Sequence, residues 1–149
     1  MIRILWGGAV VVVAAAVLAA CSNSDTTGPG QTGLSGNWRF QELLANPTAG
    51  VSCSDTAQVA VAQTGQTFTA SYAQVGTCSA GGQLFDNSGS GTISDGRVAG
   101  DSVTFSEDIC AYRGTLVGSP PNGISGSVVC TDTTATPPAT ISGTWTMTR

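Results

Sequence analysis

The residues of this chain with the most chemistry in them are five cysteines and nine acids, and neither histidine nor lysine accompanies them. That absence removes the commonest general base, the imidazole metal ligand and the Schiff-base nucleophile together, so composition disfavours an enzyme. Cys53, Cys78, Cys110 and Cys130 form an even set, which in an exported chain reads as two disulfides with three connectivities open. Free thiols and a zinc site of four thiolates are the other options, but no pair has the close Cys-x-x-Cys spacing that zinc favours. No metal and no other cofactor is expected. Asp95, Asp101, Glu107 and Asp108 lie on or beside turns and match no calcium-loop spacing, so they read as solvated turn acids. Glu107 and Asp108, being adjacent, fall on opposite sides of a strand and make a poor acid/base pair.

The fifth cysteine, Cys21, ends a run from Ile4 to Ala20 that contains no charged residue and follows Arg3. A basic start, an apolar middle and small residues before a cut are the layout of a secretory signal. Leu18-Ala19-Ala20-Cys21 resembles the lipobox of bacterial lipoproteins. The resemblance implies that Cys21 carries a diacylglyceryl group, that cleavage falls just before it, and that the new amino terminus is acylated. Several acyl chains together hold a protein firmly on a membrane. An uncleaved membrane helix is the alternative, since the run is nearly long enough for a bilayer of roughly 30 Å, but no basic flank follows it. In lipoproteins of this kind an aspartate after the cysteine marks retention in the inner membrane, so Ser22 implies the outer membrane, on its periplasmic or surface face. The expected division is a signal peptide over 1–20, a lipidated cysteine with a flexible linker over 21–33, and one domain over 34–149. As a Gly/Ser-type coil the linker spans on the order of 20 Å, enough to clear lipid headgroups.

Without the signal peptide, four arginines oppose nine acids, a formal charge of −5. No basic patch is left to replace phosphate counterions, which excludes nucleic acid as a partner. Gly, Ser, Thr, Ala and Val dominate the remainder, the composition of an all-β domain with many turns.

Period-two alternation then marks the strands. Leu34, Gly36, Trp38 and Phe40 share a face in the first, and Leu43 to Asp55 reads as a loop through Cys53. A two-residue turn at Thr64-Gly65 would set Val61 against Phe68, Val59 against Ala70 and Ala57 against Tyr72, and would bring Cys53 within a residue or two of Cys78. Val75 to Asn87 reads as a second long loop in which Leu84 and Phe85 cap the core. Asp95-Gly96 predicts a hairpin in which Ile93 meets Val98, with a bulge at Gly100-Asp101. Aligning Cys110 with Cys130 also aligns Tyr112 with Val128, Gly114 with Gly126 and Leu116 with Ile124, which predicts the second disulfide. Thr131 to Thr140 reads as a polar loop before a last strand with Ile141, Gly143, Trp145 and Met147 on one face.

That makes eight strands, and the first and last share a pattern, Leu34-Ser-Gly-Asn-Trp38 and Ile141-Ser-Gly-Thr-Trp145. An even number of antiparallel strands lets first and last pair and abolish both edges. The predicted fold is all-β, an eight-stranded antiparallel up-and-down β-barrel, with a two-sheet β-sandwich as the alternative. Gly36, Asn37 and Trp38 with a terminal Arg149 resemble the first-strand motif and closing arginine of the lipocalin and avidin group of barrels. The resemblance implies that Arg149 stacks on Trp38 and closes the barrel bottom.

Trp38, Phe40, Phe68, Tyr72, Phe105, Tyr112 and Trp145 are expected to point inward, either lining a cavity for an apolar ligand or filling the barrel. Gly114 opposite Gly126 would leave space beside them or mark a bend. Ser88-Gly89-Ser90-Gly91 lacks the helix and lysine of a phosphate loop. It resembles the Ser-Gly motif of membrane-bound lysozyme inhibitors, without the tyrosine and lysine that accompany it there. The functional expectation is a monomeric, lipid-anchored, non-enzymatic envelope protein that binds a small apolar ligand or an envelope component. The alternative is a protein inhibitor or interaction module acting through the loops at Ala45 to Asp55, Val75 to Asn87 and Thr131 to Thr140.

Overall fold

Apolar residues at alternate positions cannot be buried by a lone strand, and this chain buries them by rolling its strands around one core. The structure, a computed structural model, describes residues 33–149; the apolar run, Cys21 and the linker up to residue 32 lie outside the described residues. Nine strands follow in order: β1 (Gly36–Asn46), β2 (Val51–Thr64), β3 (Thr67–Ala80), β4 (Gln83–Asp86), β5 (Gly89–Ala99), β6 (Ser102–Glu107), β7 (Cys110–Val117), β8 (Gly123–Asp132) and β9 (Ala139–Thr148). All pairings are antiparallel, and β1 bonds to both β2 and β9. With β2 also paired to β3, eight strands close into a barrel, and β4 stands outside it, bonded to β3 alone. The fold is therefore all-β and a closed eight-stranded barrel with one extra strand. Among the described residues there is no helix.

The lower end, where β1 starts and β9 finishes, is sealed. Leu34 lies beneath the barrel and its backbone N–H donates to Gln63 Oε1 at 2.8 Å. The Trp38 indole N–H donates to the Leu34 carbonyl at 2.7 Å, which satisfies a buried acceptor. Arg149 places its guanidinium 4.7 Å from the centre of the Trp38 ring and donates to the Gly33 carbonyl. The stacking implied by Trp38 and Arg149 is thus present.

Both disulfides form as expected, Cys53 to Cys78 and Cys110 to Cys130, each between directly opposed residues. Tyr112, Gly114 and Leu116 face Val128, Gly126 and Ile124 as aligned from the sequence.

Four stretches differ. Leu43 to Asp55 is not a loop: β1 continues to Asn46, a tight turn spans Pro47 to Gly50, and β2 starts at Val51. Alternation persists there, with Glu42 and Leu44 continuing the inward parity of Trp38 and Phe40. The next turn is Gly65-Gln66, so Val61 faces Ala70, Val59 faces Tyr72 and Ala57 faces Gln74. This slide of two residues sets Cys53 directly against Cys78. Val75 to Asn87 is mostly strand as well, since β3 runs to Ala80 and folds at Gly81-Gly82 into β4. Leu84 and Phe85 do not cap the core; they are 76% and 50% exposed.

The fourth exchange is between turn and bulge. Chain reversal occurs at Gly100-Asp101, where Gly100 adopts φ +59°, and Ala99 pairs with Ser102. Asp95-Gly96 instead stays inside β5, where Ser94 and Asp95 bulge at the register shift between Phe68 and Ala70 while Gly96 pairs with Phe68. Gly96 is needed there for space, because a Cβ would lie 2.5 Å from the Phe68 ring. Ile93 and Val98 therefore both point inward from one strand.

Candidate functional site

The upper half of the barrel is where inward positions stop being apolar. Glu42 follows Phe40 on the inner face of β1, and Asp55 precedes Ala57 on the inner face of β2; the two acids are cross-strand partners. Glu42 is 6% and Asp55 2% exposed. Asp55 has room because β3 carries Gly76 opposite it, where a Cβ would overlap the carboxylate.

Around these acids stand two tyrosines and two amides. Tyr112 on β7 donates to Glu42, and its ring stacks on Phe105 at 4.4 Å between centres. Tyr72 on β3 donates to Glu107 Oε1, at the end of β6, over 2.5 Å. Asn87, just after β4, donates to Asp55 Oδ1 at 3.0 Å, and Gln74 bonds both Asp55 and the Asn87 carbonyl. Each buried acid keeps one oxygen without a partner, Oε2 of Glu42 and Oδ2 of Asp55.

Burial sets the protonation of this cluster. The Glu42 carboxyl is pushed up to about 7, chiefly by loss of water, with the Tyr112 hydroxyl opposing the rise and the charges of Asp55 and Glu107 adding to it. Asp55 is also raised, by desolvation against the opposing bonds from Asn87 and Gln74. Desolvation, followed by the neighbouring carboxylates, holds both tyrosines well above their ordinary range, so each remains a donor.

Adjoining these acids through their partners Tyr112 and Gln74 lies a cavity walled by Phe40, Ala57, Val59, Ile93, Phe105 and Met147, with Tyr72, Gln74, Glu107 and Tyr112 as its polar groups. Its volume is about 30 Å³, room for about two water molecules or one compact head group. Tyr72, Gln74 and Glu107 are half-buried, so the cavity opens at the upper end.

Of the sequence-derived ligand residues, Phe40, Tyr72, Phe105 and Tyr112 meet at this cavity. Trp38 belongs to the lower seal and Phe68 packs beside Phe105 without lining it. Trp145 covers Gly114, where a Cβ would lie 2.6 Å from the indole, so the space left by Gly114 and Gly126 is taken up by that ring and by close backbone approach. Glu107 is no solvated turn acid, since it accepts from Tyr72 inside the mouth. Glu42, Asp55 and Gln74 were not singled out from the sequence; continued parity with Phe40, Ala57 and Tyr72 was the signal that could have found them.

The chain matches no family model, no curated protein and no solved structure.

Proposed function

We propose that this chain is a lipid-anchored envelope protein, held by Cys21, whose barrel binds a small ligand, or the head group of a larger envelope component, without catalysis. The observation that carries this reading is the asymmetry of the barrel. Trp38 and Arg149 seal one end, while the other opens on a cavity with apolar walls and a few convergent polar groups, the usual composition of a ligand site. The described chain begins at the sealed end, so a tether to a membrane would leave the mouth unobstructed. Two disulfides support an oxidising compartment. The absence of histidine and lysine supports binding over catalysis.

Native mass spectrometry of the protein from its own membrane, before and after denaturation, tests the reading. Extra mass released on denaturation and a diacylglyceryl mass on Cys21 are expected. An unliganded protein with an unmodified Cys21 would refute it. A second reading, an interaction module, is favoured by one observation: β4 stands outside the barrel with Leu84 and Phe85 exposed. Loss of a partner in Leu84→Ser/Phe85→Ser with an intact barrel would favour that reading.

A further inference from the structure

We propose that Glu42 and Asp55, with Glu107 at the mouth, form a receptor for a primary ammonium group, so that the ligand of the upper barrel is an amine. This rests on the reading of the upper cavity as a ligand site and names the chemistry of its occupant.

The acids are not a surface cluster. Both lie more than nine-tenths buried on facing strands, and each leaves one carboxylate oxygen, Glu42 Oε2 and Asp55 Oδ2, without a donor. Buried acceptors in folded proteins are nearly always partnered, and an unpartnered one carries its full desolvation penalty. Two such atoms on cross-strand neighbours leave a place for one group with several N–H donors. Among the described residues no cation fills it: Arg39, Arg97 and Arg113 sit on outward-facing positions, and Arg149 is at the opposite end.

An ammonium group supplies several donors and no acceptor, which suits two bare oxygens on paired strands. The cavity beside these acids opens at its upper end. The walls include Phe40, Phe105 and Tyr112, whose ring faces favour a cation. Asp86, Asp108 and Asp132 lie at the same end, at the finish of β4, in the turn after β6 and at the finish of β8. They give the mouth a negative field that draws cations toward it.

The test is calorimetric titration of the full chain in a non-ionic detergent with n-butylammonium chloride and with n-butanol, its neutral counterpart of equal length. Butylammonium is expected to bind at least about tenfold more tightly, the effect of one charge-assisted bond. At pH 6, where Glu42 still holds its proton, binding should release a proton, visible as a heat that depends on the buffer. Glu42→Gln/Asp55→Asn should erase the preference; if that variant does not fold, Glu42→Gln alone should reduce it. N-acetyl-lysine methylamide separates two sources of the same group: affinity equal to that of butylammonium assigns the site to a partner's lysine side chain, and weaker affinity to a free amine. Butanol binding as tightly as butylammonium, or a preference that survives both substitutions, would overturn the ammonium receptor and leave a ligand cavity standing. Binding of neither probe would overturn both.

Discussion

Glu42→Gln should flatten the way this barrel responds to pH. The native state holds the Glu42 proton up to about pH 7, whereas its ordinary value is 4.5. Folded protein therefore binds more protons than unfolded protein between those values, and stability must fall as pH rises through that window. At about 1.4 kcal/mol per pH unit, the ionisation of Glu42 removes roughly 3 kcal/mol by pH 7.5. Solvent screening leaves this largely intact because the side chain is buried. The groups facing Glu42 are Tyr112, which donates to it, and the acids Asp55 and Glu107. Asp55 is raised too and adds a fall of the same sign. Asp86, Asp95 and Asp132 are lowered by bonds from Ser88, Ser106 and Thr134, so their contributions lie in the acid range and do not overlap. Urea unfolding at pH 4.5 to 8, followed by fluorescence of the buried Trp38 and Trp145, measures the slope. The wild-type midpoint should drop across the window, and Glu42→Gln should flatten it and exceed wild-type stability at pH 8. A wild-type midpoint that rises from pH 5 to 7, or equal slopes in the two proteins, would refute the buried-acid account.

Arg149→Ala should destabilise the barrel by about 1–2 kcal/mol, since it removes a cation–π contact and the bond to the Gly33 carbonyl; the same urea titration reads it, and no change would mean that the lower seal is held by Leu34 and Trp38 alone. Gly114→Ala drives a methyl to 2.6 Å from Trp145 and should lose about 1–3 kcal/mol; an unchanged midpoint would mean that the indole has free space to move. Peptide mapping without reduction should join Cys53 to Cys78 and Cys110 to Cys130, and opening either loop should cost about 3 kcal/mol in loop-closure entropy. Any link between the two pairs would contradict the registers of β2 with β3 and of β7 with β8.

Where sequence signals were strictly local and apolar, they were legible. Cys110 to Cys130 and the last strand follow from alternation alone, because every inward residue there is apolar, small or a cysteine. The missed elements share one physical cause. Glu42 and Asp55 occupy inward positions, and an acid at an inward position reads as the end of a strand when burial is assumed to exclude charge. Ending the first strand at Gln41 and starting the next at Ala57 left Asp55 inside the loop of Leu43 to Asp55 and Glu42 just before it. The Asp95-Gly96 error has a different origin: an Asp-Gly pair suits a tight turn, but Gly96 is retained for the Phe68 ring, and the turn uses Gly100 with its positive φ. The β2–β3 register was recoverable, since only a turn at Gly65-Gln66 places Cys53 directly against Cys78.

The placement of the two disulfides bears on why unpartnered carboxylates persist in this interior. A barrel interior serving only as filling would gain by replacing Glu42 and Asp55 with apolar residues, because a bare buried acid is a liability near neutral pH. Here the liability sits at the upper end, and both bridges sit there too. Cys53 is the next inward residue beyond Asp55 on β2, and Cys110 is the next beyond Tyr112 on β7. Each bridge contributes about 3 kcal/mol by restricting the unfolded chain, comparable in size to what Glu42 removes when it ionises. Among the described residues, the lower end, held by Leu34, Trp38 and Arg149, has no disulfide and no buried acid. Strain from charge and reinforcement by covalent bonds thus coincide at one end of the barrel, the pattern expected where a fold keeps a costly polar group for a ligand.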